Sequence, residues 1–286
     1  MVRIADALSK AKSDRSDSKT RTGSSVPEQD LIPSFRSQAD SGPAKTTSDR
    51  TGSTTAKWDK RLSKAVNEEP HVAEIFKNLR SRILHPADSK TGPKTVIVLS
   101  ASPNEGKTFV TANLGVSIAM SLNHYCLMVD CDLRRPTLSA LFGVENTHGL
   151  VNYLTGEQDL EELMTGTPLD NLTLLPSGKS PPNPAELLGS ARMRSLVIEL
   201  SDRYTDRIVL FDCPPTLSAS ETLVLAGQVD GIIVVVREAG SRKPHIKKLL
   251  DSIDSDKLLG IVFNGYTTNI IERSLLESYS GYSGYY

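Results

Sequence analysis

Gly106, Lys107 and Thr108 end the stretch Ala101-Ser102-Pro103-Asn104-Glu105-Gly106-Lys107-Thr108, which follows the apolar segment KTVIVLS and precedes a helical stretch. That order is a phosphate-binding loop pattern with Ala101 in the first glycine position. Such a loop wraps backbone N–H groups around phosphate oxygens at a helix N-terminus, and Gly106 stands where a side chain would obstruct them. The candidate nucleotide contacts are therefore Ser102, Pro103, Asn104, Glu105, Gly106, Lys107, Thr108 and Phe109. Lys107 would neutralise the β- and γ-phosphates, and Thr108 would offer its hydroxyl to Mg²⁺, so the implied ligands are ATP and Mg²⁺.

Three carboxylates complete the set. The run YCLMVD is followed by CDLRRP, so Asp130 and Asp132 are two residues apart and leave an extended strand on the same face. The run RIVLFD delivers Asp212 at another strand end. If these strands share the carboxyl edge of one sheet with the loop, the acids converge on a bound Mg-nucleotide. There they can hold the metal's water shell and take a proton from an attacking hydroxyl. Thr108, Asp132 and Asp212 are the candidate metal-positioning residues. Lys107, Asp130, Asp132 and Asp212 are the candidate catalytic residues. Arg134 and Arg135 follow the acids closely enough to pair with them or with phosphate.

The elements needed to carry these residues are visible as apolar runs of strand length: KTVIVLS, YCLMVD, NLTLLPS, RIVLFD, GIIVVVR and LLGIVFN, separated by helical stretches. Strands apolar on both faces and alternating with helices imply an α/β fold, a doubly wound, mostly parallel sheet with helices on both faces. The segment HVAEIFKNLRSRIL reads as a helix with Val72, Ile75, Leu79 and Ile83 along its apolar stripe and Glu74, Lys77 and Arg80 along another. Four parts follow: a short amphipathic N-terminal helix over 1–12, a Ser/Thr-rich disordered linker over 13–57, a nucleotide-binding domain over 58–270, and a flexible tail over 271–286.

With 33 Lys and Arg against 34 Asp and Glu, the net charge is -1, so no general basic field exists to hold nucleic acid. Cys126, Cys131 and Cys213 lie in or beside apolar runs without metal-ligand spacing and read as buried thiols in a reducing compartment. The head MVRIADALSKAKSDR has no apolar stretch of signal-peptide length, and the longest aliphatic run, IIVVV, is too short to cross a bilayer. A cytoplasmic protein is expected, with any membrane association supplied by a partner.

The last eight residues, Tyr279 to Tyr286, hold four of the eight tyrosines, Tyr279, Tyr282, Tyr285 and Tyr286, set among Ser and Gly. Rings on so flexible a tether suit a group that must reach another subunit's active site, although an aromatic interaction tag is the plainer alternative. Together SASPNEGKT, VDCDLRRP, LPSGKSPPNPAELL, the Asp212 strand with Pro214 and Pro215, and this tyrosine cluster resemble the bacterial tyrosine kinase (BY-kinase) family from about Trp58 to the C-terminus.

The resemblance implies a P-loop NTPase fold and transfer of the ATP γ-phosphoryl group to tail tyrosines of a neighbouring subunit. It implies that Asp130 orients or deprotonates the tyrosine hydroxyl while Asp212 holds the metal's water shell, or the reverse, and that Asn264 contacts adenine. It also implies a homo-oligomer, in some members a ring, joined through Glu74, Lys77 and Arg80. A separate membrane-anchored, polysaccharide co-polymerase-type activator and a role in exopolysaccharide synthesis follow from the same resemblance. Two positions depart from the family's pattern: Asn104 replaces a common Gly, and Lys77 replaces an Arg in the assembly motif. Partitioning and division-site ATPases, and a nucleotide-binding adaptor without turnover, are the alternatives. The former carry a signature lysine where this chain has Ser102.

Overall fold

The computed structural model describes residues 58–63, 70–86, 92–203, 206–238 and 240–265. In chain order the strands are β1 (Thr95–Ser100), β2 (Tyr125–Asp130), β3 (Thr165–Gly166), β4 (Leu172–Leu175), β5 (Arg207–Asp212), β6 (Gly231–Arg237) and β7 (Leu258–Asn264). They form one sheet in the order β3-β4-β2-β5-β1-β6-β7. Every neighbouring pair is parallel except β3 with β4. The six apolar runs of the sequence are the six longer strands. The two-residue β3 escapes sequence reading because Thr-Gly carries no periodicity.

The chain travels outward from β1 to β2 and β4, returns to place β5 between β2 and β1, then proceeds to β6 and β7 on the other side. This reversal brings the carboxyl ends of β2, β5 and β1 side by side, the crevice where open α/β sheets bind ligands.

Two apolar layers sandwich the sheet, assigned by the two-residue period of the strands. Ile97, Leu99, Leu127, Val129, Val209, Phe211, Ile232 and Val234 face one layer; Val96, Val98, Cys126, Met128, Ile208, Leu210, Ile233 and Val235 face the other. The second layer is covered by helices α1 (Lys60–Ser63), α2 (Pro70–Leu84) and α3 (Lys107–Ala119), from which Leu62, Phe76, Ile83, Val110, Leu114 and Ile118 are buried. Each such side chain contributes about 1.5–3 kcal/mol on burial. Gly115 lets α3 lie close to the sheet, since a Cβ there would meet Met128 Sδ at 2.5 Å.

The chain then forms α4 (Leu138–Leu141), α5 (Leu150–Thr155), α6 (Leu160–Leu163), α7 (Pro184–Leu188), α8 (Ala191–Arg203), α9 (Glu221–Ala226) and α10 (Lys243–Ser252). Leu150, Leu160, Leu188, Leu196, Leu225 and Leu249 bring α5 to α10 into the first layer.

One detail of α2 corrects the sequence expectation. Phe76 and Ile83 are buried with Val72 and Leu79 half-buried, whereas Ile75, assigned to the apolar stripe, is 45% exposed. Spacing alone could not choose between adjacent Ile75 and Phe76; the ring of Phe109 on α3, edge-on to Phe76 at 6.2 Å, decides it. Among the described residues no helix is long and apolar enough to cross a membrane. All three cysteines are free and buried, and burial pushes the thiols of Cys126 and Cys213 far above their ordinary range, which makes them inert.

Candidate active site

The loop from Ala101 to Gly106 connects fully buried β1 to α3. It reverses direction through two left-handed residues, Asn104 at φ 61° and Gly106 at φ 95°. Asparagine is among the few side chains that tolerate this conformation, so Asn104 stands where a glycine would serve. At Gly106 no side chain fits: a Cβ would lie 1.9 Å from Asn264 Nδ2. Beyond it α3 opens with Lys107 and Thr108 and has no acidic residue in its first turn, so its free N–H groups and positive end are available to an anion. A cleft of about 390 Å³ beside the loop is lined by Pro103, Asn104, Glu105, Arg237, Glu238 and Gly240.

The three acids stand at the neighbouring strand ends. Asp130 and Asp212 are directly paired across β2 and β5, and Val98 is the partner of Asp212 on β1, so the two acids stand level with one another, two residues before β1 ends and the loop begins. Asp212 is buried, and Thr111 Oγ1 donates to its Oδ1 at 3.4 Å. Its Oδ2 is buried with no hydrogen-bond partner. Burial pushes its pKa up to about 6, against the pull of the Lys107 ammonium and the hydroxyl of Thr108. Burial likewise raises Asp132, which is partly exposed; its Oδ1 accepts the Arg135 N–H at 3.1 Å.

Asp130 differs from both. It is fully enclosed, its Oδ1 accepts the Asp132 N–H and its Oδ2 the Leu138 N–H, each at 3.2 Å. Burial first, and the charge of Asp212 second, hold its pKa well above the usual carboxylate range. A carboxyl so enclosed shapes the turn that carries Asp132.

The donor set fits a hydrated Mg²⁺ beside phosphates. Asp212 Oδ2 has no partner at hydrogen-bond geometry although the Thr108 hydroxyl is near enough to lower the Asp212 pKa, Thr108 Oγ1 accepts from Thr137 Oγ1 at 3.3 Å, and Asp132 is within the electrostatic reach of Lys107. Among the described residues no cluster of three His, Cys, Asp or Glu forms a protein-only cage. Mg²⁺ ordinarily keeps several waters and uses one or two carboxylates together with substrate phosphates.

The other candidate residues are placed as follows. The ring of Phe109 packs against Phe76. Asn264 Nδ2 donates to the Glu105 carbonyl at 3.0 Å, which engages its amide with the loop. Ser102 Oγ lies 3.5 Å from His245 Nδ1, and Pro103 and Asn104 are exposed. Arg134 makes its ion pair elsewhere, with Nη2 2.9 Å from Glu221 Oε1 on α9 and Nη1 donating to the Ser218 carbonyl at 3.1 Å, although its charge and its backbone N–H still pull the Asp132 pKa down; the Arg135 side chain stays exposed. Away from the loop, Glu74 and Lys77 form an exposed pair at 3.8 Å, and Arg80 Nη1 donates to the Ser117 carbonyl of α3 at 2.7 Å. Tyr279, Tyr282, Tyr285 and Tyr286 lie outside the described residues.

Sequence reasoning missed Glu221, Ser241 and Arg237. The first neutralises Arg134, and the other two touch the phosphate loop from β6 and the turn after it. No short-range pattern marks them, because each meets its partner only through the tertiary fold.

The fold and this constellation define a P-loop nucleotide-binding protein of the α/β class. A family model described as an AAA domain matches residues 94–256. The chain is 35% identical over 195 residues to the tyrosine-protein kinase YwqD of Bacillus subtilis, covering 68% of this chain and 81% of that protein. It is 32% identical to the tyrosine-protein kinase wzc of Salmonella typhimurium over 74% of this chain, but spans only 28% of that longer protein. Among solved structures, the kinase domain of the Escherichia coli tyrosine kinase ETK superposes with a TM-score of 0.62 at 30% identity, over 72% of this chain and 82% of that one. The chain belongs to the bacterial tyrosine kinase (BY-kinase) family, a family of protein-tyrosine kinases.

Proposed function

We propose that the protein transfers the γ-phosphoryl group of ATP to tyrosines of its own C-terminal tail, in trans between subunits. The nucleotide half of this reading is carried by the unpartnered Oδ2 of buried Asp212, level with Asp130 and one strand from a helix that begins with Lys107 and Thr108, and the acceptor half is supported by the tyrosine kinases to which the chain is similar. An acceptor atom held open at that spot is costly to the fold and serves a hydrated cation on a nucleotide.

Mg²⁺, when bound, would supply the positive charge that offsets negative charge developing on the phosphates. Thr108, Asp132 and Asp212 would hold it and its waters. Lys107 holds the β/γ-phosphates and stabilises the charge that spreads over the transferring group. The N–H groups of the loop and of the first turn of α3 fix the phosphate chain. Asp130, or Asp212 in its place, orients the tyrosine hydroxyl and takes its proton, and Asp130 also fixes the backbone on which Asp132 sits. The reaction then rests on positioning and electrostatics, as phosphoryl transfer generally does.

Tail tyrosines supplied by a neighbour require an assembly. In this reading Glu74 and Lys77 on the exposed side of α2 form part of the contact. Arg80 contributes only N–H groups not used on Ser117. A membrane-anchored, co-polymerase-type partner would recruit this cytoplasmic kinase to the membrane and switch it on, and its output would be control of exopolysaccharide synthesis.

The deciding experiment incubates the purified full chain with ATP and Mg²⁺ and maps modified residues by mass spectrometry. Phosphotyrosine at Tyr279, Tyr282, Tyr285 or Tyr286, absent from Lys107→Met, supports the reading. ATP hydrolysis without phosphotyrosine would favour a switch ATPase instead.

A further inference from the structure

A glutamate inside an anion-binding loop is a puzzle, since its charge repels the phosphates the loop must hold. The structure turns Glu105 away from them. Its side chain is 2% exposed and both carboxylate oxygens are committed. Oε2 accepts the Ser102 N–H at 3.1 Å, and Oε1 accepts the hydroxyl of Ser241, which in turn accepts the Arg237 N–H at 2.9 Å. On either side of Glu105 the loop is held from the same edge of the sheet. Arg237 Nη1 donates to the Asn104 carbonyl at 3.1 Å, and Asn264 Nδ2 donates to the Glu105 carbonyl while filling the space beside Gly106.

We infer that Glu105 is a positioning residue for the nucleotide, a bridge through which the turn after β6 sets the shape of the phosphate loop. Asn104 and Gly106, which flank it, occupy left-handed conformations, and such conformations persist only where the surroundings over-determine them. These bonds are buried away from competing water, so the bridge is a firm restraint on the loop. Glu105 touches no phosphate; it acts by keeping neighbouring N–H groups pointed where phosphate oxygens will lie. The inference needs only that the loop holds a nucleotide, whatever group receives the phosphoryl.

The test measures ADP binding to the full chain by calorimetry in the presence of Mg²⁺, together with hydrogen exchange of the loop amides without nucleotide. Glu105→Ala is expected to weaken ADP binding about tenfold and to speed amide exchange at 104–107; Glu105→Gln, which can accept from Ser102 and donate to Ser241, stays within about threefold of wild type. Ser241→Ala weakens binding roughly threefold, and the double variant Glu105→Ala/Ser241→Ala is no weaker than Glu105→Ala alone, because both act through one bridge.

Wild-type affinity in Glu105→Ala overturns the inference. So does a Gln variant as poor as the Ala variant, which would make the charge rather than the bridge responsible, and so does a double variant whose losses add. If Glu105→Ala does not fold, Ser241→Ala and Glu105→Gln decide: unchanged affinity and unchanged loop exchange in Ser241→Ala overturn it, whereas weakening there with retention in Glu105→Gln upholds it. A failure of tyrosine phosphorylation leaves these readouts untouched.

Discussion

Asp212 shows how much a fold tolerates for chemistry. Its burial raises the folded-state pKa from 3.8 to about 6, so between those values the folded protein binds more protons than the unfolded chain. The nucleotide-free protein is therefore destabilised by this group above about pH 6 and regains up to about 3 kcal/mol as pH falls through 6 toward 4. Asp212→Asn removes the titrating group. The difference in melting temperature between Asp212→Asn and wild type, both without nucleotide, is expected to be most in favour of the variant near pH 8 and to shrink toward pH 5. A gap independent of pH would show that Asp212 is not held in this state. Lys107→Met is expected to cut tail phosphorylation roughly 100-fold or more, the scale of losing one charge-stabilising group, while circular dichroism stays that of wild type. Labelling near the wild-type rate in that variant removes Lys107 from the site.

At the scale of elements, the division between what sequence reveals and what it hides follows the range of the interactions. β1, β2 and β5 announce themselves as apolar runs ending in Ser100, Asp130 and Asp212, because burial on both faces leaves no polar position until the sheet edge. The loop is legible because its conformation demands glycine at 106. The fate of Arg134 and the seat of Asn264 are not legible, because each depends on residues dozens of positions away.

Arg80 belongs with these. Its donation to Ser117 fastens α2 to α3, so Arg80→Ala is expected to cost about 1–2 kcal/mol and lower the melting temperature by a few degrees. Lys77→Ala, in an exposed pair, should change stability by less than about 0.5 kcal/mol. Equal thermal shifts in the two would contradict this placement. A second element-level test is Gly149→Ala, whose Cβ would lie 2.1 Å from the Pro176 carbonyl oxygen, where α5 abuts the turn after β4. A loss of about 3 kcal/mol is expected from forcing these backbones apart, and a neutral substitution would show that they part freely.

At the scale of the whole molecule, a near-zero net charge leaves assembly to local contacts. If unmodified tails dock in neighbouring sites, each phosphate added brings about -1.5 to -2 charge near three acids and expels the tail, loosening the assembly. Light scattering is expected to show a fall in mass after ATP for wild type and none for the variant with all four tail tyrosines changed to Phe. Identical masses in both, before and after ATP, would show that tail phosphorylation does not loosen the assembly.

The seat of Asn264 has a consequence for the birth of the protein. The loop at 101–106 leaves the ribosome early, yet the amide that fills its inner side is 159 residues downstream of Glu105, at the end of the last strand of the sheet. Until β7 has been synthesised and laid along β6, a nascent chain carries a phosphate loop without its template. Nucleotide capture thus reaches its full strength only in the finished domain, and a chain abandoned before Leu258 is expected to hold ATP more weakly.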